Sequence, residues 1–123
     1  MHIGVYTGSI VDAAVGAHAV INASNPAVAL GSGVSAALRE ACGGNAFQRE
    51  VRERLEEEFD ADLAVDECLV TSAGSCTSFR WVLHVPAVDY RRPDPETGGP
   101  TGPRRVAACT RSALDEAVSL ANE

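Results

Sequence analysis

Asn25 precedes a proline, and six residues later the chain reads Gly31-Ser32-Gly33-Val34-Ser35-Ala36 before a helical pattern begins. Pro26 offers no N–H to a ladder and keeps Asn25 out of the helical region, so the buried-looking run His18–Ala23 must end there as a strand. A strand that empties into an asparagine turn, followed by glycines at a helix start, gathers unpaired main-chain N–H groups around one concavity. Such a concavity holds anions, phosphates above all. Glycines at 31 and 33 would let the backbone approach a diphosphate with no Cβ in the way. The plainer alternative is that these glycines only turn the chain. The run also fits the dinucleotide fingerprint G-x-G-x-x-A, but the context does not: Pro26 to Leu30 separates strand from first glycine, and the acidic residues near position 53 fall on an amphipathic helix.

Composition narrows the chemistry further. All ten basic residues are arginine, which excludes mechanisms built on a phosphate-binding, Schiff-base or kinase lysine. Seventeen acidic residues bring the formal charge to −7, which repels a polyanion and argues against a nucleic-acid scaffold. No stretch approaches the ~20 apolar residues of a membrane span, and the amino terminus lacks a secretory pattern, so a cytoplasmic protein with no membrane partner is expected. Cys42, Cys68, Cys76 and Cys109 form no C-x-x-C pair and sit in apolar stretches, where reduced thiols act as small hydrophobes. His2, His18 and His84 are equally scattered, so neither metal nor cofactor is expected.

The elements that must position the anion site follow from periodicity. Ile3–Tyr6 reads as a short strand stopped by Thr7-Gly8-Ser9, and His18–Ala23 as the strand before the asparagine turn. Val34–Cys42 is helical and stopped by Gly43-Gly44; Phe47, Val51, Leu55 and Phe59 recur every four positions on a second helix whose charged residues make a solvated face. Glu67–Ser72 and Phe79–Val85 read as two more strands. Pro86–Gly102, rich in proline, reads as an irregular excursion in which Tyr90-Arg91-Arg92 forms an exposed basic turn. Pro103 then opens a helix carrying Val106, Cys109, Ala113, Ala117 and Leu120 on one face. The 123 residues suit one domain of α/β class with a mixed sheet.

These residues resemble the macrodomain family of ADP-ribose-binding modules. Ile21-Asn22-Ala23-Ser24-Asn25 is similar to the family's V-N-A-A-N turn, and Gly31 to Gly43 resembles its G-G-G-V-D-G-x-I-x-x-A-A-G loop and helix. Trp81-Val82-Leu83-His84-Val85 looks like its V-I-H strand, and Tyr6-Thr7-Gly8-Ser9-Ile10 its G-D-I turn. The resemblance implies a three-layer α/β/α fold with a mixed central sheet. It implies that Asn25 faces the distal ribose and that Gly31, Ser32, Gly33 and Val34 cradle the diphosphate. Ala23 would line the wall, Ser9 and Ile10 would stand at the adenine end, and Asn22 would brace the turn. The implied partner is ADP-ribose or an ADP-ribosylated protein.

Three departures qualify the match. Ser9 replaces the aspartate of G-D-I, giving a neutral and weaker acceptor for the adenine amino group. Ser35 replaces the aspartate that takes part in catalysis in the hydrolytic branch, where a serine is no comparable base. ADP-ribosyl hydrolysis or O-acetyl-ADP-ribose deacetylation, with Asn25 as the catalytic residue, is therefore the alternative to binding. Finally, family members continue past the last helix with a strand, a second glycine-rich loop and a further helix. Without that strand and helix a sheet edge stays unpaired, so a complementing chain, self-association or a non-binding scaffold role is also expected.

Overall fold

The computed structural model describes residue 5, residues 7–60 and residues 62–122. A short helix, α1 (Ile10–Ala13), precedes strand β1 (Ala19–Ala23); helices α2 (Gly33–Cys42) and α3 (Asn45–Phe59) follow, then strands β2 (Leu69–Ser72) and β3 (Trp81–Val85) and helix α4 (Pro103–Ala121). The strand expected at Ile3–Tyr6 lies outside the described residues except at position 5. The helix α1 was not legible in its small-residue stretch; Ser9 caps it by accepting a hydrogen bond from the Val11 N–H at 3.2 Å.

The three strands form one mixed sheet in the order β1-β3-β2, with β1 parallel and β2 antiparallel to β3. Strand alternation sends Val20, Leu69 and Val82 toward α2 and α3, where Val28, Leu30, Leu38, Phe47, Val51 and Leu55 complete the larger core. Leu83 and Val85 point the other way and pack with Cys68, Cys109 and Ala113 beneath α4. Helices thus cover both faces of the sheet, and the layering is α/β/α. Each large side chain buried here contributes about 1.5–3 kcal/mol.

The register also fixes which groups remain unpaired. Trp81 N–H donates to the His18 carbonyl and Ser24 N–H to the Val85 carbonyl, so even-numbered residues of β1 bond β3. The backbone of Ala19, Ile21 and Ala23 faces the opposite side, where no strand pairs with β1 among the described residues. Val106, expected on the buried face of α4, is 49% exposed. The helix meets the sheet along Cys109 and Ala113, and Val106, Leu114 and Val118 lie round the helix from that line.

A chain of buried polar side chains crosses the sheet. Ser35 Oγ donates to Asn22 Oδ1 at 2.9 Å, the Asn22 amide nitrogen meets His84 Nδ1 at 3.0 Å, and His84 Nε2 meets Thr71 Oγ1 at 3.0 Å. An amide nitrogen only donates, so Nδ1 accepts and the imidazole proton sits on Nε2, donated to Thr71. The imidazole must then be neutral. Burial without a counter-charge pushes His84 down to about 3 from its ordinary 6.5.

Two outcomes are expected. Between pH 6.5 and 5 the unfolded chain takes up a proton at His84 that the folded chain refuses, so stability is greatest above 6.5 and falls as pH drops, by up to about 1.4 kcal/mol per pH unit. Urea unfolding across that range should show this slope, and His84→Gln should be less stable but flatter; equal slopes would contradict the neutral-imidazole assignment. Gly74 has φ +57°, and a Cβ there would lie 2.1 Å from the Cys42 carbonyl oxygen. Gly74→Ala should cost about 2–4 kcal/mol in the same measurement.

Candidate functional site

Because β1 and β3 are parallel, the loops leaving their carboxyl ends, Ser24–Ser32 and Pro86–Gly102, open on the same side of the sheet. In open α/β sheets this is where ligands sit. The Asn25 loop is held firmly. Ser24 N–H donates to Val85 and Val88 N–H to Ser24, tying the loop to the end of β3. Asn25 Oδ1 accepts from Ala29 N–H and its Nδ2 donates to the Ala29 carbonyl, both at 3.1 Å, closing the turn with one side chain. Leu63 N–H donates to the Pro26 carbonyl at 2.9 Å.

Gln48 on α3 completes the clamp, accepting from Leu30 N–H at 2.7 Å and donating to the Val28 carbonyl at 3.1 Å. Sequence reasoning missed Gln48, and no local pattern reveals it, since it sits beside a buried aliphatic stripe as one polar residue among many. Val28 is fully buried with φ +51°, a left-handed conformation that strains a β-branched residue and persists only because the surrounding bonds impose it.

The clamped loop delivers Gly31–Val34 to the start of α2. Ser32 is the N-cap residue, yet its hydroxyl caps nothing, and the first turn of α2 carries no acidic side chain. Gly31 and Ser32 N–H groups donate to nothing among the described residues, and those of Gly33 and Val34 are first-turn groups without an intrahelical acceptor. All four residues are exposed. A Cβ at Gly31 or Gly33 would meet nothing within 4 Å, so there is open space beside both residues; φ +57° at Gly33 favours glycine. Such a run of unpaired dipoles, with the positive end of a helix behind it, is suited to an anion.

The remaining expected residues lie as follows. Ala23 is exposed at the carboxyl end of β1. A hollow of about 280 Å³ adjoins Asn25 and is walled by Pro26, Ala27, Ala29, Asp89, Tyr90 and Arg91. Within its two bonds to Ala29, the Asn25 amide keeps one N–H and one lone pair free for a ligand. Ser9 and Ile10 lie at the start of α1, which packs against α2. Asn22 is fully buried, and its side chain bonds Ser35 of α2 and His84 of β3 rather than the loop. Ser35 is buried too, its hydroxyl turned inward to Asn22 and away from solvent.

Tyr90 and Arg91 come closer to Asn25 than a free basic turn would. Asp89 anchors them: burial would raise its carboxyl, but hydrogen bonds from the Arg91 N–H and guanidinium, with the charges of Arg91 and Arg105, outweigh burial and hold it below the usual carboxylate range. Arg91 also pairs with Asp62 at 2.8 Å, tying the excursion to the segment after α3.

The macro domain family's sequence profile matches residues 21–122. No curated protein sequence matches this chain. Among solved structures, the Oceanobacillus iheyensis macrodomain with ADP is 23% identical with a TM-score of 0.69, over 94% of this chain and 56% of that one. A point mutant of the same macrodomain with ADPR is 24% identical with a TM-score of 0.67, over 85% of this chain and 53% of the other. The Trypanosoma brucei macrodomain in complex with ADP is 24% identical with a TM-score of 0.61, over 88% of this chain and 38% of that chain. The chain thus spans about half the length of the Oceanobacillus structures it matches. With a profile match from the asparagine turn through the last helix and the same layered fold in these structures, the chain belongs to the macrodomain family.

Proposed function

We propose that this chain is a binding module for ADP-ribose, free or carried on a protein, acting as one unit and needing no cofactor. The observation that carries the reading is the run of unpaired main-chain N–H groups at Gly31–Val34, fixed by a braced loop, with open space beside its glycines. The diphosphate sits on these amides, the distal ribose meets the free N–H of Asn25, and Ala23 lines the wall. Ser9 and Ile10 stand toward the adenine, where Ser9 already caps α1 and offers only a remaining lone pair. The macrodomains solved with ADP or ADPR support this ligand class. A cytoplasmic setting, in which Cys42, Cys68, Cys76 and Cys109 remain the free thiols seen here, fits the reading.

Binding is favoured over hydrolysis by one specific observation. The residue at the position of the family's acid, Ser35, spends its hydroxyl on Asn22 inside the protein and offers no base to a water at the ribose.

Calorimetry with ADP-ribose on the folded chain should show binding. Gly31→Glu, at a position with no left-handed requirement and no neighbour to disturb, should weaken it by about 100-fold, roughly 2.7 kcal/mol, because a carboxylate then occupies the diphosphate position. Unchanged affinity in that variant would place the ligand elsewhere. Asn25→Ala removes both bonds to Ala29 and should lower stability by about 1–2 kcal/mol as well as affinity.

A further inference from the structure

The charge balance of the chain reverses in one place. Between Asp89 and Arg105 stand four arginines and three carboxylates, whereas the rest of the sequence has six arginines against fourteen carboxylates. Three of the four, Arg91, Arg92 and Arg105, line one cavity of about 650 Å³ with Asp62, Leu63, Ala64, Val65, Pro26 and Asp89. Arg91 is ion-paired with Asp62 and Asp89. Arg105 gives one N–H to the Pro86 carbonyl at 2.8 Å and, like Arg92, has no carboxylate within ion-pairing distance among the described residues. The cavity therefore presents two guanidiniums that make no ion pair among the described residues, beside an apolar wall of Leu63, Ala64 and Val65.

Its position supplies a second constraint. Pro26, Asp89 and Arg91 line both this cavity and the hollow at Asn25, so the two spaces adjoin. Its volume falls in the range of a ligand of many atoms rather than of a single small anion, and the apolar wall gives a small anion nothing to bury. The sequence outside Asp89–Arg105 carries an excess of carboxylates, whereas this cavity, with three arginines against Asp62 and Asp89, offers a carboxylate-bearing chain an excess of positive charge beside the Asn25 hollow.

We propose that the cavity lined by Arg91, Arg92 and Arg105 holds acidic residues of the protein to which the ADP-ribose is attached. The inference rests on the binding reading above, with the distal ribose at Asn25. The carboxylates of the flanking peptide pair with Arg92 and Arg105, each accepting two N–H bonds donated edge-on by a guanidinium fork. Arg91, locked to Asp62 and Asp89, sets the boundary between nucleotide and peptide.

Three ligands test this by calorimetry on the full chain and on Arg92→Glu: free ADP-ribose, a peptide bearing ADP-ribose flanked by glutamates, and the same conjugate flanked by glutamines. The wild-type chain should bind the glutamate conjugate about tenfold tighter than the glutamine one, with the margin shrinking as salt is raised. Arg92→Glu should erase or invert that margin and leave the affinity for free ADP-ribose unchanged. Equal affinity of the wild-type chain for the two conjugates, with free ADP-ribose still bound, would overturn the acidic subsite and leave the nucleotide site standing. Failure of the wild-type chain to bind any of the three would overturn both.

Discussion

The start of α2 leaves main-chain dipoles unspent, and on the proposed reading these dipoles, with no lysine to help them, grip the diphosphate in a chain of formal charge −7. The rest of the site exists to keep them so. An amide in a flexible loop would find water or a neighbouring carbonyl, and reorganising it would cost much of what the ligand contributes. Here the loop before the helix is fixed by Asn25 on Ala29, by Gln48 on Val28 and Leu30, and by two buried aliphatic anchors, Val28 and Leu30. The cradle is organised before any ligand arrives.

Beneath the loop, the polar chain from Ser35 through Asn22 and His84 to Thr71 links α2 to all three strands. Each member is buried and satisfied, which makes the chain specific in a way apolar packing is not: only one amide orientation and one imidazole tautomer complete it. The Ser35 hydroxyl is spent as a structural donor to Asn22, so the same bond that seats α2 turns that side chain inward.

The asparagine-proline turn, the two glycines and the helix behind them were legible because proline, glycine and helix stops act locally, and local rules place them without knowledge of the fold. The stripes Phe47-Val51-Leu55 and Cys109-Ala113 were legible for the same reason, as was the order of elements from β1 to α4. What was hidden depends on tertiary contact. Gln48 reaches across to a loop eighteen residues earlier, with nothing in its neighbours to mark it. His84 looked like a stray histidine until the register set it opposite Asn22. Val106 fits the apolar face of α4 by spacing, yet the helix sits with that residue beside the sheet rather than over it. The turn at Tyr90-Arg91-Arg92 is exposed as its composition suggests, but the buried Asp89 that anchors it was hidden, being an acidic residue in a polar, proline-rich stretch.

The most direct measurement of the central claim is an amide-resolved NMR titration of the chain with ADP-ribose. The account predicts that the largest shifts fall on the N–H resonances of Gly31, Ser32, Gly33 and Val34, with Asn25 next. Saturating shifts confined to residues outside the Asn25 and Gly31–Val34 segments would contradict it.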